Sequence, residues 1–484
     1  MLSLFLLGGR ACIPNGPYQN GAVDLVIEGA GRPTARVYRA LRAAVVDGRL
    51  PPGHRLPPTR ALAADLGVSR GSVATAYERL VAEGFLAAKV GSGTFVATVA
   101  APRGRRPAGP ADPLRPRTGW PVRPEPVSGD APAPRYDFRA GVPDAALFPF
   151  DTWRRLVAAE SRLRANSPGT YAGPAGHPAL RAAIARYLGY GRSVRATAED
   201  VVVTNGTQHA LDLIARVLLC PGDVVAVEQP GYPPARRLFE AHGGRVAGVR
   251  VDEQGIVVDE LPDAARLVHT TPSHQFPLGR PMSPARRREL LDWAGSRPVA
   301  IVEDDYDSEF RFSARPLEPL VSLDTAGRVL YAGTFSKSML PAIRTGFVLA
   351  PPTLRDALAA ARQLSDGYGP PAPQAALARF IEDGELARHV RRASREYARR
   401  HARIAAALTR MPRLEVLPSA AGLHLTALLR DGSSAPVVAA AATAGLAVED
   451  LTAYATSQAG FVFGFGAIDP TLIDEGLSIF ARLL

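Results

Sequence analysis

Lysine is nearly missing from this chain. Of its 484 residues 57 are Lys or Arg, and only Lys89 and Lys337 are lysines. On a solvated surface arginine replaces lysine at little cost, but a guanidinium cannot form an imine at ordinary pH. A lysine kept under such a bias is a candidate for amine chemistry. Cysteine is as scarce: Cys12 and Cys220 stand far apart, which excludes a disulfide framework and any multi-cysteine metal site. Long apolar runs are lacking too. Residues 2–7 form a run too short for a membrane span and without the preceding positive charge of a signal peptide. What remains is a cytoplasmic globular protein of about two to four domains, with residues 1–21 as a tail and no membrane partner.

Charge is present but uneven. The net charge is +11, of which residues 1–135 supply 9 (18 basic, 9 acidic side chains) and residues 136–484 supply 2 (39 basic, 37 acidic). A polyanionic partner is therefore expected for the N-terminal quarter alone. Residues 100–135 hold ten prolines and seven arginines with no periodic apolar pattern. Such a segment is a semi-extended linker, and at about 3.1 Å per residue it reaches on the order of 100 Å. It separates a small module, 22–99, from a large one, 136–484.

In the small module Val37, Leu41 and Val45 recur at helical spacing and Gly48 ends the pattern. A second helix is predicted over 58–66, burying Leu62 and Leu66, with Gly67 beyond its end. Ser69 is a suitable N-cap for a third helix, whose apolar face is Val73, Tyr77, Leu80 and Val81. Arg70, Ser72 and Thr75 occupy its early exposed positions and suit a major groove and its phosphates. Residues 85–96 alternate and turn at Gly91-Ser92-Gly93, with Lys89 just before the turn, as a hairpin wing does. The pattern reads as a module for double-stranded DNA. A helical protein-interaction domain with solvated arginines is the other reading.

The large module alternates amphipathic stretches with β-branched runs at 201–203, 224–227, 267–269, 299–302 and 329–331. This predicts an α/β fold with a mostly parallel, buried sheet, whose ligands gather at the carboxyl ends of strands. After 329–331 comes GTFSKSMLPAIRTGF, in which Lys337 is the only lysine of the module, Thr334 stands three residues before it and Arg344 seven after. Such an amine can form an imine with an aldehyde cofactor whose phosphate the neighbours hold. After 299–302 come Glu303, Asp304, Asp305 and Tyr306. One carboxylate can hold a pyridinium nitrogen protonated, and the tyrosine can reach the ring's phenolic oxygen. Metal ligation is the other use of such a cluster, and no His or Cys lies beside it in sequence. Gly206 and Thr207 open an apolar helix whose first amides can hold phosphate, and Tyr232, in a Pro-Gly turn, can stack on a planar ring.

The run LPPTRALAADLGVSRGSVATAYERLVAEGFLAAKVGSGTFV resembles the winged helix-turn-helix of the GntR superfamily. The segments TPSHQFPLGRPMSPARRRELLDWA, EDDYDSEFRF and GTFSKSMLPAIRTG resemble fold-type-I aminotransferases and, together with the first module, the MocR/GabR family of regulators over about residues 22–484. The resemblance implies an N-terminal winged helix followed by large and small domains of a pyridoxal 5'-phosphate-dependent, aminotransferase-like α/β fold. It implies DNA contacts from Arg60, Ser69, Arg70, Ser72, Thr75, Lys89 and Gly91. Lys337 would carry the cofactor, Asp304 would meet the pyridine nitrogen, and Tyr306 the phenolic oxygen; spacing alone allows Asp305 to exchange with Asp304. Gly206, Thr207, Thr334 and Arg344 would form the phosphate cup, with Tyr232 stacked on the ring and His274 near the place of a ring-oxygen-binding Asn. Tyr171, in YAGPAGHPALR, would reach the phosphate of the second subunit in a homodimer reading a repeated or palindromic operator.

One departure bears on function. Amino-acid-binding relatives carry a C-terminal arginine that clamps the α-carboxylate, whereas residues 446–481 contain no Arg or Lys and Phe461 stands in the approximate place. The expected function is a transcriptional regulator sensing a small effector (an amino acid, an amine or pyridoxal phosphate itself) through Lys337. The alternative is an active aminotransferase with an appended DNA-binding domain.

Overall fold

The computed structural model describes residues 25, 31–97, 117, 120, 134–166, 169–312, 318–419 and 421–484. The tail 1–21 lies outside the described residues, and so does the 100–135 linker apart from residues 117, 120, 134 and 135. The chain divides into two compact units, Met1–Arg115 and Pro116–Leu484.

The first unit packs α1 (Pro33–Val46), α2 (Thr59–Asp65) and α3 (Arg70–Ala82) against a hairpin of β1 (Leu86–Lys89) and β2 (Gly93–Val96). Val37, Leu41, Leu62, Val73, Tyr77, Leu80, Leu86 and Val96 share one core. Two expected core residues are displaced. Val81 is 36% exposed, because it lies about 100° around the helix from Leu80; Ala76, on the other flank of the face, joins the core. Leu66 caps the end of α2 half-buried, and Ala63 joins Leu62 in the core. Gly67 follows at φ 61°, the left-handed turn that lets α3 start at once.

The second unit is built on eight strands: β4 (Val201–Thr204), β5 (Val224–Gln229), β6 (Arg245–Asp252), β7 (Gly255–Ile256), β8 (Ala265–Thr270), β9 (Ala300–Asp305), β10 (Val329–Thr334) and β11 (Gly346–Leu349). Their order is β4-β11-β10-β9-β8-β5-β6-β7. Neighbours from β10 to β6 run parallel, while β11 is antiparallel to both β10 and β4. The β-branched runs are continuous because both faces are covered. Val201 and Val203 enter one core while Val202 enters another, and Tyr331 is likewise separated from Leu330 and Ala332. A smaller antiparallel sheet holds β12 (Leu414–Val416), β13 (His424–Leu429), β15 (Glu449–Asp450) and β16 (Gly460–Gly464), in the order β12-β13-β16-β15. Beside it β3 (Tyr136–Asp137) pairs in parallel with β14 (Leu446–Ala447). Helices Glu385–Thr409 and Ile473–Leu483 supply the apolar side chains that close this second layer.

Candidate functional site

Strands β4, β5, β8, β9 and β10 all end on one edge of the large sheet. Strand β11 returns between β10 and β4, so that Gly346 pairs with Thr334 on one side and Thr204 on the other. This joins two segments more than a hundred residues apart. Arg344 Nη2 donates to the Asn205 carbonyl at 2.7 Å, and a Cβ on Gly206 would stand 3.3 Å from Arg344 Nη1. Gly206, at φ 83°, caps helix Thr207–Leu218, whose N-terminus carries partial positive charge. The Thr207 hydroxyl is buried there with no hydrogen-bond partner. Thr334 Oγ1 accepts from the Ser336 amide at 3.2 Å, starting the turn that delivers Lys337.

Lys337 is half-buried beside Gly141, where an added Cβ would lie 3.2 Å from Nζ and the φ of 70° favours glycine. Burial holds the Lys337 pKa below that of a solvated lysine, against the pull of Asp307, Asp304 and Glu449. The free-base amine is thus easier to populate than on a surface. Glu449 accepts from the Ala140 amide at 3.0 Å and from the Tyr454 hydroxyl. Its own pKa is raised by burial despite those bonds.

Consecutive residues of β9 face opposite ways. Asp304 Oδ2 lies 3.4 Å from His269 Nε2, and Oδ1 is buried without a partner. Asp305 Oδ2 instead accepts from Arg192 at 2.7 Å, Ser308 at 2.8 Å and the Tyr331 hydroxyl. Tyr306 donates to the His274 carbonyl at 2.9 Å, and its hydroxyl is 3.1 Å from His274 Nδ1. Burial, then Asp307 and Asp304, push the Tyr306 pKa well up, so the phenol stays protonated.

His274 itself is buried against Asp307, with Nδ1 3.1 Å from each carboxylate oxygen. His424 adds a ring 4.6 Å away, tilted by 42°, and its Nε2 meets the Pro277 carbonyl at 3.0 Å. Burial and His274 hold His424 neutral. The local absence of histidine near the acidic cluster is thus corrected by the fold: His269 comes to it from β8, His274 from the turn after β8 and His424 from β13. The ligand atoms of His274, Asp307 and His424 lie within 4.8 Å of one another. Asp307 is spent on His274 and on the Leu423 amide, at 3.2 Å, so the group reads as a hydrogen-bond network that orients His274. Linear sequence carries no sign of these pairings.

The remaining expected residues fall as follows. Tyr232 precedes helix Pro233–Ala241 and meets Phe276 edge-on at 5.8 Å. Tyr171 is 92% exposed and packs edge-on against Tyr368, so the single chain does not bring it to Lys337. Phe461 packs against Phe463 and Phe480 in the small-domain core. The residue of β16 on the other face is Val462, which clusters with Leu278, Leu451 and Tyr454. Both side chains are apolar, so neither face of the strand offers a cation there.

On the first unit Ser69 caps α3, accepting from the Ser72 amide at 3.1 Å. Arg60, Arg70 and Thr75 are exposed and Ser72 is half-buried. On the wing, Lys89 stands opposite Gly93 with its ammonium 5.4 Å from the Phe95 ring, and Gly91 lies at φ 74° in the turn. Arg55, bridged to Phe95 and packed on Gly93, is an exposed wing cation that its distance in sequence had concealed. Arg79 is held by Glu83 at 2.8 Å and lies over the Tyr38 ring.

Residues 33–96 match the model of bacterial regulatory proteins of the gntR family, and residues 144–460 that of aminotransferase class I and II. The chain is 38% identical over 454 residues to the probable rhizopine catabolism regulatory protein MocR of Rhizobium meliloti, covering 92% of each. The chain belongs to the MocR/GabR-type regulators. Another relative, the pyridoxine biosynthesis transcriptional regulator PdxR of Corynebacterium glutamicum, is 34% identical over 436 residues, covering 89% of this chain and 91% of that one. The aminotransferase-like part of this MocR/GabR-type chain is similar to the α-aminoadipate aminotransferase LysN of Thermus thermophilus, solved with N-(5'-phosphopyridoxyl)-L-leucine. That match has a TM-score of 0.66 and 26% identity over 72% of this chain and 91% of that one. Among the described residues no helix is long and apolar enough to cross a membrane.

Proposed function

We propose that this MocR/GabR-type regulator binds operator DNA through its winged helix and pyridoxal 5'-phosphate at Lys337, and that a small effector is sensed there. The observation that carries the reading is a pair of buried, unpartnered oxygens, Asp304 Oδ1 and Thr207 Oγ1, on the strand edge that also bears Lys337. Buried polar atoms are rarely left without partners, and these two match a pyridinium N–H and a phosphate.

When bound, the cofactor supplies an aldehyde for the lysine amine and a ring that withdraws electrons. The chain's own residues do the rest. Asp304 holds the proton at the ring nitrogen, with His269 behind it. The Gly206–Thr207 helix start, Thr334 and Arg344 hold the phosphate, and Tyr232 covers the ring. Tyr306 and His274 face the phenolic oxygen. An effector amine that takes the place of the Lys337 side chain leaves an additional free amine among Asp304, Asp307 and Glu449. Such a change alters the DNA-binding state only by its differential affinity for two conformations. We propose a homodimer in which the exposed Tyr171 serves the partner's phosphate; sedimentation of the full chain tests the stoichiometry.

The enzyme reading has the same pocket in its favour, but the site face of β16 offers Val462 where a carboxylate clamp needs a cation. The deciding experiment titrates the purified chain, loaded with pyridoxal phosphate, with amines and amino acids while following visible absorption and retardation of its own promoter DNA. Effector-dependent spectral change with altered retardation supports a regulator. Sustained turnover of an amino donor and a keto acid supports an enzyme.

A further inference from the structure

On the face of β9 turned away from Asp304, the protein holds a second cavity of about 280 Å³. It lies between the end of helix Pro178–Arg192, the turn after β9, strand β10 and the first turns of helix Glu385–Thr409. Of the residues expected to form the cofactor site with Lys337, only Thr334 lines it.

Two guanidiniums in its wall have unspent donors. The Arg192 side chain is 8% exposed. Its Nη2 donates to Ser273 Oγ and Asp305 Oδ2, each at 2.7 Å, while Nε and Nη1 are buried with no partner among the described residues. Arg311 Nε donates to the Ser308 carbonyl at 3.0 Å, and its Nη2 is also buried without a partner among the described residues. The acidic groups of the wall are already engaged: Asp305 by Arg192, Ser308 and Tyr331, and Glu309 by the Tyr187 hydroxyl at 3.0 Å. A buried charged donor left unsatisfied costs more than an ordinary hydrogen bond gains. An oxyanion is the partner that satisfies such guanidinium donors most cheaply, because its oxygens match the planar fork.

We propose that this cavity is a second ligand site, taking a small carboxylate or phosphate anion between Arg192 and Arg311. It is separate from the phosphate cup at Gly206 and Arg344, and it does not depend on the cofactor reading above. Ala387, exposed on the rim, offers a way to fill the space without touching either arginine.

The test uses the full chain, with inorganic phosphate or acetate replacing chloride at fixed ionic strength, and follows the thermal midpoint, which a ligand of the folded state raises by mass action. A saturable rise is expected with at least one anion; phosphate alone or acetate alone identifies which oxyanion the site takes. Arg192→Gln is expected to weaken it at least about tenfold, the scale of one lost charge-assisted contact. Ala387→Phe is expected to weaken it comparably while leaving Arg192 and its ion pair in place. No saturable rise with either anion, or a rise that survives both Arg192→Gln and Ala387→Phe, would overturn the proposal.

Discussion

Asp304 and Asp305 are adjacent in sequence and have opposite surroundings: Oδ1 of Asp304 is buried without a partner, whereas Oδ2 of Asp305 accepts from Arg192, Ser308 and Tyr331. Asp304→Asn should leave the fold intact and lower retention of pyridoxal phosphate, measured by dialysis, at least about tenfold, since an amide cannot hold the ring proton. Asp305→Asn should instead destabilise the second unit by about 3 kcal/mol, because it leaves Arg192 as an unpaired buried charge. Reversed phenotypes would mean that the two carboxylates have exchanged roles.

Glu309 gives a pH signature. Burial, reinforced by Asp305, raises its carboxyl from 4.5 to about 7. Between those values the folded chain binds the proton and the unfolded chain does not. This contribution to stability is complete below the unfolded value and is lost as pH climbs through 7. Glu309→Gln keeps an acceptor for Tyr187 and has no proton to lose. Its stability difference between pH 5 and pH 8, from urea unfolding, should be smaller than that of the wild type by on the order of 2 kcal/mol.

On the first unit two arginines of α3 separate contact from support. Arg70 is exposed at the start of the helix, while Arg79 is engaged by Glu83 and the Tyr38 ring. In promoter retardation Arg70→Ala should cost about 1–3 kcal/mol and lower the salt slope by about 1. Arg79→Ala should change affinity little. Equal effects from both would point to fold damage rather than DNA contact.

The strands that end at the site were legible because both faces are covered: 201–203, 224–227, 267–269, 299–302 and 329–331 read as continuous β-branched runs, and each lies in the large sheet but for Val299, one residue before its strand. Strand β11 had no such mark, although it carries Arg344 back beside Gly206. His269, His424 and Glu449 were also hidden, because their partners come from other strands and periodicity reports only neighbours along one element. Phe461 and Val462 likewise enter different cores, because neighbours in a strand face opposite ways. The choice between Asp304 and Asp305 has the same origin: parity distinguishes them only when the partners on each face are known.

Lys337 is proposed as the amine that carries pyridoxal phosphate. Borohydride reduction of the loaded full-length chain, followed by peptide mass spectrometry, tests it directly, since Lys89 is the only other lysine. A pyridoxyl group is expected on the peptide containing Lys337, none on the peptide containing Lys89, and no specific label in Lys337→Ala. Label on Lys89 with Lys337 unmodified, or label retained in Lys337→Ala, would contradict it.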